Sequence, residues 1–273
     1  MFKKPIIFLI VILNCADIFA GQNFTPANIK QEQFYDNEII IEPAALKFPE
    51  YEKLFYTVRW LGIPVGAITA SINGIKQING RQAYELELTA KTNGFCSAIY
   101  RINDRFVSYV DTEKFYTLRH EVYREEGRYR KDAVTDFDYT AKKARFKNML
   151  DKSEKVFDIP DGTQDTLSAC YYFRLLNIDL GTRVGYQVCS NEDMYELFGV
   201  VESKRYVRVP CIGKVPAFYI QPYARINEEE VRKGRVSGYF SADSRRIPLL
   251  AAVQAPVFTE ITAQLERADY GQK

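Results

Sequence analysis

The chain has 273 residues, with 37 Lys and Arg against 35 Asp and Glu, 47% hydrophobic residues and one histidine, His120. The hydrophobic fraction supplies a sizeable core and excludes bulk disorder, and a net charge of +2 argues against nucleic-acid binding driven by overall charge. A single imidazole excludes two-His zinc patterns, and any Ser-His-Asp or Cys-His site would have to use His120.

Residues 1–20 read as a secretory signal peptide. Lys3 and Lys4 form a positive start, Pro5 to Leu13 an apolar stretch, and Ala20 a small residue before a cleavage point. That stretch is short of the roughly 20 residues that span a bilayer, and no later segment reaches that length. Lipidation at Cys15 fits poorly, because Asn14 stands where Gly, Ala or Ser is usual. Export to the periplasm, with no transmembrane span after cleavage, is therefore expected. Removing Lys3, Lys4 and Asp17 leaves a net charge of +1, and Cys96, Cys170, Cys189 and Cys211 remain without a Cys-x-x-Cys. Three disulfide pairings are open to them, and free, buried cysteines are the plainer reading.

Residues 21–50 read as a partly mobile lead-in around Ile39-Ile40-Ile41, and residues 51–268 as one β-rich domain with a tail at 269–273. Leu54–Leu61 is rich in aromatic and β-branched residues, which suit a strand, and it runs into a turn at Gly62-Ile-Pro-Val-Gly66. Strands follow at Ala67–Ile72 and Tyr84–Ala90, parted by Asn79-Gly80, then at Arg105–Asp111 and Phe115–Arg124. Within Tyr129–Tyr139, Ala133, Thr135 and Phe137 alternate with Asp132, Asp136 and Asp138, the pattern of a sheet wetted on one face. Ala144–Leu150 continues it.

One segment breaks the period. After Pro160-Asp161-Gly162, either Thr163 or Asp165 can cap a helix over Asp165–Leu176, with Leu167, Cys170, Tyr171 and Leu175 at roughly helical spacing. Strands resume at Arg183–Cys189, Tyr195–Val201, Tyr206–Val209, Val215–Pro222, Arg235–Ala242, Ile247–Val253 and Val257–Leu265. The expected fold is mainly β: one large curved antiparallel sheet or partly closed barrel of about a dozen strands, with a single packed α-helix.

Four phrases carry a resemblance. They are Leu54–Gly66; Lys91-Thr-Asn-Gly-Phe with Tyr100–Asp111; Asp165–Arg174; and Asp243-Ser-Arg-Arg-Ile-Pro248. In that order they resemble a bacterial exported family known as domain of unknown function 3108, over about residues 51–266. The resemblance implies an exported or envelope β-protein with one internal helix and no established activity. Its motif residues are the ligand-lining candidates: Trp60, Gly62, Gly66, Tyr100, Asp104, Asp111, Asp165, Ser168, Tyr172, Arg174, Asp243, Arg246 and Pro248. Cys211 departs from the pattern, which more often has a small residue before the glycine.

Catalytic signals are few. Glu121 points to the opposite strand face from His120, so His120 reads as a surface or hydrogen-bonded structural residue. Asp158–Asp165 lacks calcium-loop spacing and reads as a turn and helix cap. The basic run Arg124, Arg128, Arg130, Lys131, Lys142, Lys143, Arg145 and Lys147 reads as a solvated hairpin face balanced by Glu125, Glu126, Asp132, Asp136 and Asp138. The alternative for that run is an anionic lipid or polysaccharide surface. The functional expectation is non-enzymatic binding of a lipid-like ligand or a partner protein in the envelope, without cofactor or metal. The helix then serves either as core or as the lid of an apolar cavity. The alternatives are a hydrolase or lyase acting through carboxylates, and a structural assembly module.

Overall fold

The computed structural model describes residues 48–271, apart from 227, 228, 232–234 and 256–258. The expected leader and Ile39-Ile40-Ile41 lie outside the described residues.

The strands in chain order are β1 Tyr51–Trp60, β2 Ile63–Ile78, β3 Arg81–Thr92, β4 Asn103–Asp111, β5 Thr117–Glu126, β6 Tyr129–Asp138, β7 Lys143–Asn148 and β8 Glu154–Asp158. They continue as β9 Gln164–Asp165, β10 Arg183–Ser190, β11 Asp193–Val209, β12 Gly213–Ile220, β13 Tyr223–Ile226, β14 Glu229–Val231, β15 Arg235–Ser241, β16 Pro248–Ala255 and β17 Thr259–Asp269. A short helix α1 (Gly94–Ile99) joins β3 to β4, and the longer α2 (Thr166–Leu175) follows β9.

Two expectations are corrected here. The strands number seventeen among the described residues, because short pairing segments such as β8, β9 and β14 carry too few residues to show a period. A second helix, α1, is present because Asn93 caps it locally, its side chain accepting from Cys96 N at 2.9 Å.

Pairing runs β8-β7-β6-β5-β4-β3-β2-β1-β17-β16-β15-β12-β11, antiparallel throughout. The first half of β11 pairs with β10 and β13 instead, and β10 takes β9 as a parallel neighbour. No pairing joins β8 to β11 among the described residues, so the sheet curls without closing.

The β1–β2 turn is shorter than expected. Trp60 pairs with Ile63, leaving only Leu61 and Gly62 as the loop, and Pro64 lies inside β2 beside a register shift. Elsewhere the alternation places side chains as read: Ala133, Thr135 and Phe137 are buried, as are Ile261, Ala263 and Leu265.

Most of α2 is buried, as expected of a packed helix. Leu167, Tyr171 and Leu175 join the main core with Leu54, Ile72, Leu86 and Phe106. Phe173 and Leu176 pack with Val184, Phe218 and Ile220, and Ala169 with Val188 and Tyr195. Each fully buried Leu or Phe adds about 1.5–3 kcal/mol, while the buried Ser168 and Arg174 keep hydrogen-bond partners at the two ends of the helix. Phe48, upstream of β1, joins this core edge-on to Tyr84, Phe115 and Tyr171.

Candidate functional site

Three buried polar clusters hold most of the candidate residues. The first surrounds the start of α2. Asp165 is the N-cap, accepting from Leu167 N at 2.7 Å and Ser168 N at 3.0 Å, while Ser168 Oγ accepts from Asp165 N. Ser108 Oγ donates to one Asp165 oxygen at 2.7 Å, and Thr117 Oγ1 to the other at 2.8 Å. His120 brings its Nδ1 within 3.1 Å of Ser108 Oγ, 3.2 Å of Val107 O and 3.3 Å of Asp165 Oδ1.

A serine, a histidine and an aspartate therefore meet, which the sequence had offered no reason to expect. A proton relay needs the hydroxyl on one ring nitrogen and the carboxylate on the other. Here both face Nδ1, and Ser108, His120 and Asp165 are each at most 4% exposed. The cluster fastens α2 to β4 and β5. Asp165→Ala removes the cap and the charged acceptor of two buried hydroxyls, so we expect a loss of about 2 kcal/mol, read from the urea unfolding midpoint.

The second cluster ties the other end of α2 to the start of β1. Arg174 forms a fork on Glu52, Nη1 to Oε1 at 2.6 Å and Nη2 to Oε2 at 2.7 Å, and donates to Arg245 O at 3.2 Å. Its guanidinium lies over the rings of Phe48 and Tyr171. Arg246 reaches Arg174 O at 3.4 Å from a left-handed backbone. Asp243 accepts from Ser241 Oγ and pairs with Arg245, holding the β15–β16 turn, and the Pro248 carbonyl accepts from Tyr56. Glu52 went unnoticed in the sequence, since an acid in the mixed run Glu50-Tyr51-Glu52-Lys53 carries no pattern.

The third cluster lies where β4 and β5 meet. Asp104 accepts from Glu125 N at 2.9 Å, and Arg124 donates from Nε to Glu126 Oε1 at 2.7 Å. Burial, reinforced by the negative charge of Glu126, pushes the Asp104 carboxyl up to about 7. Arg124 and Glu126 are buried, so the expected solvated basic face is corrected at this point: the short alternation turns Arg124 inward. Arg130 pairs with Glu125 as expected, whereas Lys143 and Lys147 pair with Asp158 and Glu154 of β8, acids outside the expected set.

The remaining candidates have local roles. Asp111 pairs with Arg81 at 2.6 Å and accepts from Glu113 N and Lys114 N. Tyr172 meets Tyr186 edge-on, and Trp60 packs half-buried on the core. At Gly66 a Cβ would stand 2.4 Å from Lys91 O, which explains the glycine. Tyr100 covers Gly127 in the same way. No disulfide joins the cysteines: Cys189 is buried and its thiol pushed up by burial, Cys96 and Cys170 are half-buried, and Cys211 is exposed. The expected burial thus holds only for Cys189.

Two half-open concavities lie along the sheet. One of about 430 Å³ is lined by Tyr51, Lys53, Ser71, Asn73 and Glu85 among others, and one of about 250 Å³ by Arg105, Tyr123 and Asp132. The larger one also touches Glu52 and Ile72, and the side chains around α2 pack against one another.

The surface feature that stands out is apolar. Leu61 is 59% exposed, Ile63 65%, Phe95 79% and Ile99 71%. Asn93 brings them together, donating from its backbone to Val65 O and from Nδ2 to Pro64 O, which lays α1 beside the β1–β2 turn. Sequence reading missed this patch because its residues fall in two short apolar runs thirty positions apart.

A curled, unclosed antiparallel sheet around a buried helix defines a β-barrel-like protein. The family described as "Protein of unknown function (DUF3108)" matches residues 56–266, and the chain belongs to it. The chain is also similar in fold to a β-barrel-like protein of domain of unknown function DUF1849 from Brucella abortus, at TM-score 0.55 and 8% identity. That match covers 82% of this chain and 98% of the other. Weaker likenesses are to a protein described as a lipoprotein from Parabacteroides distasonis (TM-score 0.37, 7% identity, 81% and 97% covered) and to one described as exported, with a YmcC-like fold, from Bacteroides fragilis (TM-score 0.34, 10% identity, 83% and 100% covered). No curated protein matches the chain. No described helix is long and apolar enough to cross a membrane.

Proposed function

We propose that this protein is exported by its leader and acts in the bacterial envelope as a non-catalytic binding protein. Its apolar partner is held at the pole carrying Leu61, Ile63, Phe95 and Ile99, rather than inside the sheet. The exposure of those four residues carries the reading, because a soluble domain rarely gathers large apolar side chains on one outward surface. The filled interior supports placing the partner outside, and the polar clusters support a non-catalytic role, since their groups bond one another beneath packed side chains. The assembly reading has less support. β8, an end strand of the long ladder, is only five residues long and carries Glu154, Lys155 and Asp158, charges that blunt edge pairing.

A photo-crosslinking phenylalanine analogue placed at Phe95 in cells tests the reading. Adducts with lipid or with an envelope protein are expected there, and not from the same analogue at Val156, which is exposed on β8. Equal labelling from both positions would sink it.

A further inference from the structure

We infer that this pole is a membrane-docking tip that inserts into the surface of a bilayer containing anionic lipid. The inference rests on the reading just given and names the partner.

The first support is a turn that works against its own backbone preference. Leu61 and Gly62 form a two-residue hairpin with φ of +49° and +81°. The β2–β3 hairpin has the same geometry, with Asn79 at +51° and Gly80 at +79°. Asn-Gly is the pair that such a turn favours, and a leucine in the left-handed region is strained. The chain thus meets the local requirement at one end of β2. At the other end it keeps a leucine that buries little of itself. Strain of this kind at an exposed apolar residue points to contact with something outside the chain.

The second support is α1. Its six residues include no buried one, and Phe95 and Ile99, four apart, project from the same face. With Leu61 and Ile63 they make an apolar knob on short connections, which suits insertion at the boundary of headgroups and acyl chains.

The third support is charge. Lys91 at the end of β3, Arg101 and Arg128 on the connections, and Arg130 at the start of β6 are exposed around the knob. The acids of this pole include Glu125, which Arg101 and Arg130 share, Glu126, which Arg124 neutralises, the buried Asp104 and the exposed Glu260, so the exposed cations outnumber the exposed acids. Apolar side chains ringed by surplus guanidinium and ammonium groups match an apolar layer beneath anionic headgroups.

Trp60, the only tryptophan, adjoins Leu61 and reports on the tip directly. The purified mature protein is mixed with phosphatidylcholine vesicles with and without 30% phosphatidylglycerol, and binding is read by sedimentation and by quenching of Trp60 with brominated lipid. We expect binding and quenching on the anionic vesicles, reduced severalfold by 0.5 M salt. The double variant Leu61→Asn/Phe95→Asp should lower binding at least tenfold; Asn suits the turn, and circular dichroism verifies the fold. Arg101→Gln/Arg128→Gln should cost severalfold on anionic vesicles only. Absence of wild-type binding, or equal binding by the double variant, overturns the docking tip. If vesicles fail while position 95 still crosslinks an envelope protein, the inference falls and the binding reading stands. If position 95 also labels no better than Val156, both fall. A concentration-dependent dimer that the double variant abolishes would assign the knob to a second copy and overturn the inference.

Discussion

Replacing Glu52 by alanine should destabilise the protein by about 3–5 kcal/mol, the cost of leaving one member of a buried ion pair uncompensated. Glu52 and Arg174 are 3% and 4% exposed, and two short hydrogen bonds join them across 122 positions of sequence. After the substitution Arg174 keeps the Arg245 carbonyl and two aromatic faces, which do not neutralise its charge. The pair also binds the start of β1 to the last turn of α2, so its loss loosens the helix from the sheet. The measurement is the urea midpoint at unchanged slope. Replacing both partners, Glu52→Leu with Arg174→Met, should recover most of the loss, because no buried charge then remains. A single variant within about 1 kcal/mol of wild type would show that water reaches Arg174 and would sink the account.

A second expectation concerns pH. Asp104 is held up to about 7 by burial and by Glu126, against 3.8 for an ordinary aspartate. The folded chain therefore keeps a proton on this group at pH values where the unfolded chain has lost it. Its contribution to stability is fully present below about pH 4, declines as pH rises to about 7, and is flat above that. Asp104→Asn removes this slope while preserving an acceptor for Glu125 N. The variant should match wild type near pH 4 and exceed it by about 2–4 kcal/mol at pH 8, on the scale of about 1.4 kcal/mol per unit of pKa difference. Urea unfolding at four pH values between 4 and 8 gives the test, and parallel curves for the two proteins would refute it.

Local chemistry was readable wherever a few adjacent residues decide the outcome. The aspartates of 132–138 turned outward because alternation is a property of the strand itself. Asp165 capped α2 because the cap needs only the amides two and three positions on. The motif phrases also led to Arg174 and Asp104, though not to what those residues do. Their partners Glu52, on β1, and Glu126, on the neighbouring strand β5, lie on other elements, and nothing in one element's period identifies the residue it will meet on another. His120 shows the same limit. Glu121 was correctly turned away from it, yet Asp165 approaches from a segment 45 positions later, and only the ring geometry shows that the contact is structural.

The opening composition excluded paired-imidazole chemistry and guaranteed a large core, and period-two patterning made that core a curved sheet around one long helix. These follow from the residue inventory and from local backbone preference. Whether the helix covers a cavity or fills one depended on how residues far apart in sequence interdigitate, and the interior proved packed. The exposed apolar pole was decided in the same way. Nothing in the sequence set Leu61, Ile63, Phe95 and Ile99 apart from other apolar residues, because burial belongs to the assembled sheet and not to the side chain. Only the pairing of β1, β2 and β3 with α1 left them facing outward.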